Sequence, residues 1–222
     1  WYLIRAPERD QLDEIYQRIL KIAQGAALMT ETTHKVEFIK GVSNKIPNRV
    51  ISELIVKNMR EIGTPKYDEK DLEFARKIAE TISKEAKIRG LRKSGRPDWE
   101  QLVDKLIDDT IPDPWGEGEV SYGSTDVADV SWIAPTVEFS TAAWVLGTPG
   151  HSWQAVAQSG SSLGHKSLIF AAKVMAATVI DLLTKPEILN AAKEEHKKRL
   201  RGRKYKSPLP PDLKPPLDIW ER

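Results

Sequence analysis

The stretch "SLIFAAKVMAATVIDLL" (167–183) constrains this chain more than any other. It reads as a helix over 166–184 that is apolar nearly all round. A helix with no polar face has none to turn to water, so it is expected to pack between layers. Lys173 and Asp181 interrupt the run, which is also short for a membrane span; no membrane segment is expected. The chain has 222 residues, 40% hydrophobic and 30% charged, the balance of a globular protein with one large domain or two small ones.

The layers that would cover this helix must come from the rest of the chain. Residues 2–6 (YLIRA) read as a short strand that Pro7 ends. From Glu8 to Met29 apolar residues recur at Leu12, Ile15, Tyr16, Ile19, Leu20, Ile22, Ala23 and Ala26, the period of a helix with one buried face. Residues 35–39 (KVEFI) alternate as a half-buried strand does. This strand–helix–strand unit holds too small a core to stand alone and calls for further strands. "VSNKIPNR" (42–49) is a turn-rich linker, and helices are expected over 49–62 and 68–90. Residues 88–101 read as an exposed basic loop, followed by a short helix at 98–107. Residues 127–134, 136–139 and 142–146 read as short strands of a buried sheet. A helix near 186–200 ends at Gly202, and the Pro-rich segment 207–218 is expected along the surface. The fold class expected is therefore α/β.

The formal net charge of +2 gives no footing for nucleic acid. The basic residues gather in "KEEHKKRLRGRKYK" (193–206), which reads as a solvated helix end. There is no Cys, so no disulfide and no thiolate nucleophile or ligand. That fits a cytoplasmic protein.

Four His remain. His34 precedes a strand and His196 sits in a charged helix; both read as surface residues. His151 sits in "GTPGHSW", where Gly147 and Gly150 permit a tight turn and a close approach of backbone to a ligand. Asp126 and Asp129 lie in the segment before it. Imidazole and carboxylates on loops serve metal or acid–base sites, but a capping Asp and a satisfied loop His explain the same residues. His165, opening the apolar helix, is the rival to His151.

Taken together, "GSTDVADVSW" (123–132), "GTPGHSW" (147–153) and the helix that follows resemble the C-terminal part of the M20 metallopeptidase/amidohydrolase family. The resemblance implies a Zn-peptidase-like α/β catalytic domain with a ferredoxin-like α+β lid inserted into it. Residues 1–43 would be the C-terminal half of the lid (dimerisation) domain and 44–222 the C-terminal part of the catalytic domain. The activity implied is hydrolysis of an amide to a glutamate-like group, in p-aminobenzoyl-glutamate, another acyl-glutamate or a dipeptide. A divalent metal, Zn or Mn, would activate the water. By that match His151 is a metal ligand, with His165 the alternative. Asp126 and His165 stand behind the ligands, and Arg5 holds the substrate carboxylate through its planar fork. Homo- or hetero-oligomers through the lid are implied.

The resemblance also implies ligands and a general-base Glu that no segment before residue 121 matches. The expectation is a C-terminal half of a longer enzyme, inactive by itself. The alternative expectation is a non-catalytic interaction subunit that retains the lid's pairing surface.

Overall fold

In the computed structural model, residues 1–120, 123–214 and 217 are described. The helices are α1 (Arg9–Met29), α2 (Arg49–Ile62), α3 (Glu69–Ala79), α4 (Lys84–Lys93), α5 (Val127–Ser131), α6 (Trp153–Ser159), α7 (Ser162–Thr184) and α8 (Pro186–Leu200), with a 3-10 turn at Trp99–Leu102. The chain divides into two compact units. One comprises Trp1–Pro47, Val120–Thr136 and His196–Arg222; the other comprises Asn48–Glu119 and Val137–Glu195.

Among the described residues there is no strand, which overturns the α/β expectation and, with it, the ferredoxin-like lid sheet. A strand is one side of a ladder, and a segment with strand-like alternation stays irregular when no second backbone lies beside it. Residues 2–6 and 35–39 are in that position: Trp1, Tyr2, Leu3, Val36 and Ile39 are exposed. Phe38 packs edge-on against Tyr16 of α1, with ring centroids 5.8 Å apart. Residues 136–139 and 142–146 are likewise irregular. Residues 127–131 turn out helical because Ala128 and Ser131, three apart, are the pair that buries.

The first unit is organised around α5. Ser131 is fully buried; its hydroxyl accepts from Ile46 N at 2.8 Å and donates to Ala128 O at 2.5 Å. Its carbonyl accepts from His196 Nε2 at 2.7 Å. His196 is therefore a buried packing residue, not the surface residue expected, because that turn of α8 presents its imidazole to a carbonyl that needs a donor. Trp132 donates to Asn44 O at 2.7 Å, and the Arg203 guanidinium lies 4.9 Å over its ring.

The second unit holds two apolar clusters. Ile51, Ile55 and Met59 of α2 pack with Phe170 and Val174 of α7 and Ala192 of α8. Ala75 and Ile78 of α3 pack with Ile107, Val145 and Leu163. Asn48 caps α2, accepting from Ile51 N. The expected 68–90 helix is two helices, since Ser83 accepts from Ala86 N at 3.1 Å and restarts the chain as α4. The expected exposed loop 88–101 is also corrected. Residues 88–93 lie in α4, and Arg96 is buried. It pairs with Asp98 and Asp108 and donates to Thr110, which its planar fork of donors makes possible.

Helix α7 begins four residues before the expected start, capped by Ser161, which accepts from Leu163 N. The turn from α6 is tight: a Cβ on Gly164 would collide with the Ser159 carbonyl oxygen. Only one side of α7 is buried, through Leu163, Ser167, Phe170, Val174 and Thr178. The other side is open, contrary to the packing between layers expected from its composition. The surface tail expected over 207–218 includes 215, 216 and 218, which lie outside the described residues.

Candidate functional site

The turn that carries His151 is built from its own backbone. Gly147 has φ +94°, and a Cβ there would lie 2.8 Å from the Lys87 Cα, so only glycine lets α4 approach this closely. Thr148 N and Oγ1 both reach Val145 O, at 3.1 and 2.7 Å. Ser152 donates to Pro149 O at 2.7 Å and accepts from Ala155 N at 3.2 Å, starting α6 directly after His151.

Beneath the turn lies Gln158, fully buried. Its Oε1 accepts from Val145 N at 2.7 Å, while Nε2 donates to Thr148 Oγ1 at 3.1 Å and Gln154 O at 3.0 Å. One amide thus ties both ends of the turn to α6. Sequence reasoning passed over Gln158 and α6 altogether. Ala155 and Gln158, three apart behind the Ser152 cap, form the buried face of α6. The result is an exposed His151 on a braced turn, beside a largely exposed Trp153.

His165 lies in the first turns of α7, exposed, on a cavity of about 420 Å³ that Lys66, Lys166, Lys173, Pro65 and Phe170 also line. The charge beside it is set by a partly buried pair. Lys166 donates to the Asp71 carboxylate, and more distantly to Asp68 at 3.4 Å. Burial pushes the Asp71 carboxyl up, but hydrogen bonds from Lys166, Ser162 and the Asp68 backbone outweigh that and hold it below the ordinary carboxylate range. The bond to Asp71 holds the Lys166 ammonium above its ordinary value.

The other expected residues belong to the first unit. Asp126 stands at the start of α5, exposed, with no cap bond from its side chain. Arg5 is exposed before α1. Asp129, inside α5, accepts from Ser43 Oγ at 2.8 Å, a tertiary bond that ties α5 to the 42–49 segment. Tyr205 has its hydroxyl pushed up by burial and by the Asp129 carboxylate. An open cavity of about 660 Å³ in this unit is lined by Lys45, Arg199, Arg201 and Arg203 together with Glu8 and Asp10.

A metal centre needs several donors within one coordination sphere. Among the described residues no group of three or more His, Asp or Glu side chains could hold an ion. His151 and His165 bring imidazoles and Asp126 a carboxylate, yet none stands in such a group. The described residues do not fit a divalent metal by themselves.

The chain is similar to a subunit of p-aminobenzoyl-glutamate hydrolase from Escherichia coli (strain K12). The identity is 33% over 221 residues, covering 96% of this chain and 46% of that protein. The chain thus spans about half the length of this curated relative. No protein-family model matches the sequence, and no solved structure matches it.

Proposed function

We propose that this chain is part of an amidohydrolase that cleaves the amide bond to a glutamate-like group, in p-aminobenzoyl-glutamate, another acyl-glutamate or a dipeptide. What carries the reading is the similarity to the p-aminobenzoyl-glutamate hydrolase of E. coli along almost the whole chain. In this reading the braced turn presents His151 to the reacting site, and Arg5 pairs with the substrate carboxylate in the two-pronged geometry a guanidinium allows. The chemistry of the family resemblance is that of divalent Zn or Mn. The donors of this chain do not assemble such a centre, so the remaining ligands and the general base would come from polypeptide beyond the matched half.

The test is release of glutamate from p-aminobenzoyl-glutamate. The purified 222-residue chain is expected to release none above buffer, with Zn²⁺ or Mn²⁺ supplied. Joined to the part of the E. coli relative outside the match, it is expected to regain release that His151→Ala abolishes. Metal-dependent turnover by the chain alone would show that this assignment of the missing donors is wrong. Full activity in His151→Ala would remove His151 from the site. A second reading, a non-catalytic interaction subunit, is favoured by the open apolar side of α7; a complex that forms but never hydrolyses would select it.

A further inference from the structure

Helix α7 leaves a continuous apolar face in solvent. Leu168, Ile169, Ala172, Met175, Ala176, Val179, Ile180 and Leu183 are all exposed, the large ones between 53% (Val179) and 78% (Leu183). At 3.6 residues per turn these positions form one stripe about 140° wide, opposite the buried Phe170, Val174 and Thr178. From Leu168 to Leu183, at about 1.5 Å per residue, the stripe is roughly 22 Å long and of the order of 300 Å² in area. A patch of that size lies at the range where an isolated surface marks an interaction site.

Two occupants are disfavoured by what surrounds the stripe. By length and composition α7 could cross a membrane. Its other side, however, is committed to α2 through Phe170 and Val174. Lys166 and Asp181 are also tied into ion pairs near its two ends, with Asp71 and Lys185. A second copy of the chain would cover this one stripe and account for nothing else. The length comparison points elsewhere. The E. coli relative carries at least as much polypeptide outside the match as within it. A helix apolar on both sides belongs in the core of a larger protein.

We propose that the open face of α7 is the docking surface for the polypeptide equivalent to the half of that relative which this chain does not span, on the same chain or another. The proposal rests on the reading of this chain as part of a larger hydrolase. It names where the parts join.

The chain has no cysteine, so a single introduced thiol reports on the face directly. Ala176→Cys sits at the centre of the stripe, and Lys77→Cys on α3 is the control. Maleimide labelling of each would be timed in the chain alone and in the chain co-expressed with the E. coli segment outside the match. The expected result is a co-purifying complex in which the Ala176→Cys thiol reacts at least tenfold more slowly and the control is unchanged. Val179→Glu is expected to cut capture of the segment at least tenfold while leaving the helical circular dichroism intact. The proposal is overturned if no complex forms, or if a complex forms with Ala176→Cys still reactive. Slowing that depends only on the chain's own concentration would overturn it in favour of a second copy. Slowing on phosphatidylcholine–phosphatidylglycerol vesicles would do so in favour of a lipid surface. A complex that protects the thiol but releases no glutamate removes the hydrolase reading and leaves the docking surface standing.

Discussion

Gln158→Leu tests whether the His151 turn is held from below. The substitution keeps the side chain's bulk in a fully buried position and removes three hydrogen bonds, to Val145 N, Thr148 Oγ1 and Gln154 O. Thr148 Oγ1 retains its bond to Val145 O. The Val145 amide has no such second partner, and Val145 is 3% exposed. An orphaned buried N–H costs about 1–3 kcal/mol, and each further net bond adds about 0.5–1.5 kcal/mol. Since those other partners stay partly satisfied, the expected loss is about 2–4 kcal/mol. For a chain of this length that is a fall in Tm of about 5–15 °C. Urea unfolding followed by circular dichroism should show the midpoint falling with an unchanged slope. Hydrogen exchange should show the Val145 amide losing protection ahead of the α2 amides. A loss under about 0.5 kcal/mol with Val145 still protected would refute the claim that this amide braces the turn.

Gly147→Ala is expected to destabilise by about 1–3 kcal/mol, because the new Cβ meets the Lys87 backbone at a left-handed φ; Gly150→Ala, with open space around it, is the near-neutral control in the same melts. The Asp71–Lys166 pair makes a prediction about pH. Asp71 is held below its ordinary range, so its contribution is present above the unfolded carboxylate pKa and is lost as pH falls through the folded value. Lys166 is held above its ordinary value, so its contribution is present below the unfolded lysine pKa and is lost as pH rises through the folded value. Lys166→Met leaves the Asp71 carboxylate buried without its cation. The variant should be less stable at neutral pH and should lose less, or gain, on acidification toward about pH 5, where the parent has nothing to gain. Urea midpoints across about pH 4–8 read the difference; parallel curves would count against it.

Much of the helical layout was legible from residue spacing. Arg49–Ile62 falls where the turn-rich segment 42–49 gave way to an expected helix, and Pro186–Leu200 where a helix was expected to stop at Gly202. The resemblance drawn from the GSTDVADVSW and GTPGHSW motifs is matched by 33% identity to a protein of that type. What failed were the strands. Alternation in KVEFI states which side of a residue is apolar, but a ladder needs a second backbone, and no sequence window contains its own partner. His196 failed for a related reason: a charged run describes average exposure, while the Ser131 carbonyl that the imidazole meets is 65 residues away in the chain. Gln158 escaped because a buried amide looks like any polar helix residue until its three partners are in place.

By itself, the sequence determined quantities set within a few turns of chain: helix periods, the caps at Asn48, Ser83, Ser152 and Ser161, and the apolar character of both sides of α7. Tertiary structure alone decided which side of α7 is buried. That choice depends on α2 arriving from a distant part of the chain and on α8 folding back directly after α7, and together they cover only one face. The other face is apolar for the same local reason and exposed for a non-local one, because burial is a property of two surfaces and a helix supplies only one of them.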